Sequence, residues 1–115
     1  MATYTVTRVM TRTNTLTAWP AEALGGDGYS NLSEKVTTSY SYDSDNLVQT
    51  TVFVWSSKED FLENLRTSGT RDNTLNTISN QYNDYKAANN ITSRVTREDG
   101  SVVVFNSSSK TYEAE

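Results

Sequence analysis

Clustered carboxylates are the first places where this sequence could do chemistry. Asp43, Asp45 and Asn46 resemble the opening of a calcium loop. Such a loop needs glycine at its sixth position and glutamate at its twelfth. Here those positions hold Val48 and Val54, so the segment reads as a turn, which Asp and Asn favour. Glu59, Asp60 and Glu63 form a second cluster. Acid–base catalysis needs two carboxylates across a substrate, with one of them desolvated. A solvated helix start explains these three without a substrate. Glu22 and Asp27 lie in an irregular segment with no partner to complete a site.

Other catalytic side chains are scarce. The chain has no Cys and no His. That excludes disulfides, thiolate nucleophiles and Cys-ligated metals, and it removes the commonest general base and metal ligand. No cofactor and no tightly bound transition metal are expected. Gly25-Gly26-Asp27-Gly28 is glycine-rich, but it neither follows a strand nor opens a clear helix, so it fails as a phosphate loop. Aromatic residues remain. Trp19, Tyr40, Trp55 and Tyr82, with Asn80, are the candidate lining of a pocket or an interface. Tyrosine more often fills the edge of a small core. Trp19-Pro20, in an irregular stretch, would anchor that stretch on its own core or on a partner.

The elements that must position these residues follow from hydropathy patterning. Tyr4, Val6, Arg8, Met10 and Arg12 alternate with Thr5, Thr7, Val9 and Thr11, as in a half-buried strand. Residues 14–33 lose the pattern apart from one turn of helix at Pro20–Leu24, with proline at its first position. A hairpin is expected at Val36–Tyr42 and Leu47–Trp55. Ser56 or Ser57 then caps a helix carrying Phe61, Leu62 and Leu65. After Thr67-Ser68-Gly69 a second helix carries Leu75, Ile78, Tyr82 and Tyr85 as one stripe. Ile91–Arg97 and Val102–Asn106 form a last hairpin around Asp99-Gly100. Residues 107–115 read as a polar, mobile tail.

Two runs, Val52-Phe53-Val54-Trp55 and Val102-Val103-Val104-Phe105, are apolar on successive residues. Neighbouring strand residues face opposite ways, so both sheet faces should need cover. In a single domain of 115 residues, a second copy of the chain is the expected cover.

Composition narrows the partners. The chain is polar through 14 Ser, 18 Thr and 11 Asn rather than through charge. Its 12 aromatic residues argue against disorder. A net charge of −4, with no basic run, disfavours nucleic acid. No leader-like or membrane-length apolar segment occurs, so an intracellular or virion-associated protein is expected. Asn31-Leu32-Ser33, Asn90-Ile91-Thr92 and Asn106-Ser107-Ser108 match glycosylation acceptors by chance.

The strand-to-helix step Phe53-Val54-Trp55-Ser56-Ser57-Lys58-Glu59-Asp60-Phe61, with the order of elements, resembles the dimeric α+β-barrel superfamily. The resemblance implies an α+β fold of ferredoxin-like type with its first helix reduced. One or two helices would cover one face of an antiparallel sheet, and two sheets would pack through the other. Catalytic residues in that family often include His, which this chain lacks, so no site residue is carried over. The Ser/Thr/Asn-rich, Cys-free, acidic texture is similar to small accessory proteins of marine phages. The sequence thus favours a small non-enzymatic homodimer with a structural or binding role. A small-molecule binder or cofactor-independent enzyme is the alternative. A virion or assembly subunit, contacting its partner through the tail or the Trp19 segment, is a third reading.

Overall fold

The computed structural model describes residues 2–24, 35–68 and 74–115; for residues 65–68 and 74–80 it describes the backbone alone. Strand β1 (Tyr4–Thr11) buries Tyr4, Val6, Arg8 and Met10 and turns Thr5, Thr7, Val9 and Thr11 away, as its alternation dictates. Helix α1 (Pro20–Ala23) is a single turn with proline opening it. Strands β2 (Val36–Tyr42) and β3 (Val48–Trp55) form the first hairpin. Asp43 holds its turn by accepting the N–H groups of Leu47 (2.8 Å) and Val48 (2.9 Å).

Helix α2 (Lys58–Ser68) starts where Ser57 Oγ accepts the Asp60 N–H at 3.1 Å, which satisfies one orphan donor of the first turn. Helix α3 (Thr74–Ala88) stops at Asn90, whose φ of 56° lets the Ile91 N–H reach back to the Lys86 carbonyl at 3.0 Å. Strands β4 (Thr92–Arg97) and β5 (Val102–Asn106) follow. Their connection is a three-residue loop, Glu98-Asp99-Gly100, closed by the Arg97 N–H donating to the Ser101 carbonyl (2.9 Å) and the Gly100 N–H to the Arg97 carbonyl (2.9 Å). Gly100 supplies the positive φ of 90° that a side chain would resist.

Residues Thr111–Ala114, expected as part of a mobile tail, form strand β6. The Asn106 side chain accepts the Ser108 and Ser109 N–H groups in the preceding turn. Lys110, at φ 59°, then returns the chain to the sheet. The turn chemistry was present in the sequence, but the strand is too short and polar to stand out.

All six strands join one antiparallel sheet in the order β2-β3-β1-β4-β5-β6. The ferredoxin-like, dimeric-barrel arrangement expected from the sequence does not hold. Beyond β4 the sheet continues through two further strands. The result is an α+β fold with a six-stranded antiparallel sheet and three short helices.

The helix-facing side holds two apolar clusters. Tyr4, Val6, Val36, Phe53, Trp55 and Phe61 pack at one end. Met10, Trp19 and Ile91, with Tyr85 against them, pack at the other. Among the described residues no element covers the second face. Val52 and Val54 are half-buried while Phe53 and Trp55 are buried, and Val102 to Val104 are half-buried. Among the described residues no helix is long and apolar enough to cross a membrane.

Candidate functional site

The helix-facing side of the sheet carries an unusual set of buried cations. Arg8 is 8% exposed, Arg12 5% and Lys86 2%. Burying an unpaired charge is costly, so such groups normally meet a carboxylate. Here each meets an aromatic face. The Arg8 guanidinium lies 5.2 Å from the Phe53 ring centre, Arg12 4.4 Å from Trp19 and Arg97 5.5 Å from Phe61. The Lys86 ammonium position lies 4.6 Å from Phe105 and 4.4 Å from Tyr112.

Register sets where each of them stands. On β1, Arg8 stands between Thr51 of β3 and Val95 of β4. Arg97, two residues along β4 and on the same face, pairs with Val6. Phe105 pairs with Tyr112 across β5 and β6. Lys86 descends from α3 onto these two rings and donates from Nζ to the Tyr112 hydroxyl, which also bonds Ser93 Oγ at 2.7 Å. Burial, with the Arg8 charge as a second cause, pushes the Lys86 ammonium down to about 6. Arg8 makes one long hydrogen bond, Nη2 to Thr51 Oγ1 at 3.4 Å, and its buried Nε has no partner. The buried Nε of Arg97 has none either.

Arg12 has a different part. Its Nε donates to the Asn46 carbonyl (2.9 Å) and Nη1 to the Thr17 carbonyl (2.6 Å), while Trp19 Nε1 donates to Asn46 Oδ1 (3.4 Å). Tyr85 adds a bond from its hydroxyl to the Ala18 carbonyl at 2.6 Å. Together they fasten the segment after β1 to the β2–β3 turn and to α3. Trp19, at 1% exposure, therefore anchors its segment on the chain's own core.

The structure places the four aromatic residues expected to line a pocket or an interface at separate points of the fold. Trp55, 2% exposed, packs edge-on against Phe61 at 5.9 Å in one cluster, while Trp19 sits in the other. Tyr82 is buried in α3. Tyr40 is on β2, the outermost strand at one side of the sheet, and 38% exposed. Asn80 lies in α3, but its side chain is outside the described residues, as is the Gly25–Gly28 segment. A surface groove of about 460 Å³ opens elsewhere, between the start of β1, the start of α2 and the β4–β5 loop. Lys58, Glu59, Glu98 and Asp99 give it charge. Glu98 already accepts the Thr5 N–H, and Asp99 is held below the usual carboxylate range by the hydrogen bond from the Ser101 hydroxyl. Among the described residues no three acidic side chains could hold a metal ion together.

Lys86 escaped sequence reasoning, although a signal existed. Ile78, Tyr82 and Lys86 are spaced by four, so Lys86 continues the buried stripe. Arg8 and Arg12 fall on the buried side by strand alternation alone.

The uncovered face differs in kind. Its positions alternate with the buried ones: Thr5, Thr7 and Val9 on β1, Val48, Thr50, Val52 and Val54 on β3, Thr92 and Thr96 on β4, Val102 and Val104 on β5. Among the described residues Arg94 and Glu113 are the only charged ones at the outward strand positions, and Arg94 is paired with Glu115 at 2.8 Å. Comparison with protein-family models, with curated proteins and with solved structures finds no match to this chain.

Proposed function

We propose that this chain is a non-enzymatic protein that self-associates, two copies meeting through the uncovered sheet face. The observation that carries the reading is the near absence of charge on a broad face of valine and threonine. A sheet face meant for water normally carries Lys, Glu or Arg among its polar residues. This one offers half-buried Val48, Val52, Val54, Val102 and Val104, and Val9 at 36% exposure.

The size is adequate. Strands lie about 4.8 Å apart and rise about 3.4 Å per residue, so β2, β3, β1 and β4 present a footprint of roughly 500 Å². Two such faces bury roughly 1,000 Å², the lower bound for a specific interface. The dimer is therefore of micromolar rather than obligate strength. Two aligned sheets would stack about 10 Å apart, with threonine methyls and valines interleaved. The helix-facing aromatic residues support the structural role, because Tyr4, Phe53, Trp55 and Phe61 fill one core cluster and Trp19 the other.

The absence of cysteine makes a direct test simple. A single Val52→Cys variant, treated with a short bifunctional maleimide, should cross-link into a dimer at micromolar concentration. Lys110→Cys, in the β5–β6 turn away from that face, should not. Equal cross-linking at both positions, or none at Val52→Cys, would overturn the proposal.

A further inference from the structure

We infer that the buried Arg8 and Lys86, with the half-buried Arg97, form a binding site for a small inorganic anion of halide size on the helix-facing side of the sheet. Three observations converge. First, Arg8 and Lys86 are more than nine-tenths buried, and among the described residues no carboxylate pairs with either. Second, the Nε groups of Arg8 and Arg97 are buried donors without an acceptor. A guanidinium presents its donors in a rigid fork, so an unused buried Nε marks a direction from which an acceptor is missing. Third, Arg8 and Arg97 stand diagonally on paired strands, one residue pair apart on the same face. Such diagonal neighbours have Cβ atoms roughly 7 Å apart, within reach of one shared ion for side chains of this length.

An aromatic face stabilises a cation but satisfies no N–H donor. The rings therefore explain how the cations are tolerated and leave the donors unmet. Among the described residues, Gln49 is the only other polar side chain here with a buried unmet atom that no further contact engages, and that atom is an oxygen. It cannot serve as an anion donor and instead helps to align its neighbours.

The site couples anion uptake to proton uptake. The charged and titratable groups that face Lys86 are Arg8 from β1 and Tyr112 from β6. Neither carries negative charge near neutrality. An anion beside Lys86 favours the ammonium form, so by linkage it binds more tightly at pH 6 than at pH 8.5.

The test is thermal unfolding in sodium chloride against sodium gluconate at matched ionic strength, gluconate being too large to enter. At roughly ten times its dissociation constant a ligand raises the Tm of a domain this size by about 5 °C. A saturating, chloride-specific rise of that order is expected at pH 6, smaller at pH 8.5, and absent in Arg8→Gln and in Lys86→Met. Equal Tm in both salts, or a rise that survives in Lys86→Met, would overturn the site. Should Arg8→Gln not fold, crystals of the unaltered chain grown in bromide supply the second reading. An anomalous peak beside Arg8 Nε supports the site, and an empty map there at saturating bromide refutes it.

Discussion

Replacing Lys86 with methionine should stabilise this protein. The amine is 2% exposed, and burial with the Arg8 charge brings it from an ordinary 10.5 to about 6. Between these values the unfolded chain holds a proton that the folded chain has released. Stability must then rise with pH across the window from about 6 to 10.5, the reverse of the loss that follows when a lysine gains a partner. At pH 7 the window has about 3.5 pH units still to run, which at 1.36 kcal/mol each costs roughly 5 kcal/mol as an upper limit. Methionine removes that cost and fills similar volume between Phe105 and Tyr112. It forfeits the bond to the Tyr112 hydroxyl and part of the packing against the two rings, together about 2 kcal/mol. Tyr112 keeps Ser93 as a partner. The net gain is about 2–3 kcal/mol, or roughly 10 °C in Tm. Denaturant melts in halide-free buffer between pH 6 and 9 provide the assay. The unaltered chain should gain stability with pH, and Lys86→Met should be more stable and nearly flat. A destabilised variant, or a pH slope that persists without Lys86, would refute the reasoning.

Two other substitutions probe the frame. Trp55→Ala removes a ring held against Phe61 at 5.9 Å in the first core cluster; it should cost roughly 3–5 kcal/mol, read as a lower denaturation midpoint with an unchanged slope. Asp43→Ala deletes the acceptor of the Leu47 and Val48 N–H groups. It should lower Tm at pH 7 and remove the part of acid unfolding that Asp43 contributes. That part is present above pH 3.8 and is lost as pH falls through the lower folded-state value, held down first by the Val48 N–H.

Strand and helix texture was legible because period-2 and period-3.6 patterns are strong in Tyr4–Thr11, Val48–Trp55 and the capped start of α2. The edge position of β2 was legible from its polar Thr37, Ser39 and Ser41. The sixth strand was not, since Thr111–Ala114 is stabilised by pairing with β5 rather than by its own composition. The fold type was misjudged for a related reason: the expected order of strands stopped at Val102–Asn106, whereas the sheet runs on to β6. For the site, the aromatic residues drew attention, yet they turned out to be core or edge residues. The distinctive groups are the cations beneath them. Alternation placed Arg8 and Arg12 inside, but sequence cannot reveal that no carboxylate meets Arg8 there, because ion pairing is a long-range property of the folded sheet.

The claim that the uncovered face joins two copies is tested most directly by mass in solution. Light scattering on the unaltered chain at micromolar to hundreds of micromolar concentration should pass from the 12.8 kDa chain toward about twice that mass. Val52→Lys, which sets a charge in the middle of the face and leaves the core untouched, should stay monomeric with an unchanged melting curve. A chain that remains at 12.8 kDa throughout, or a Val52→Lys variant that dimerises as readily, would contradict the account.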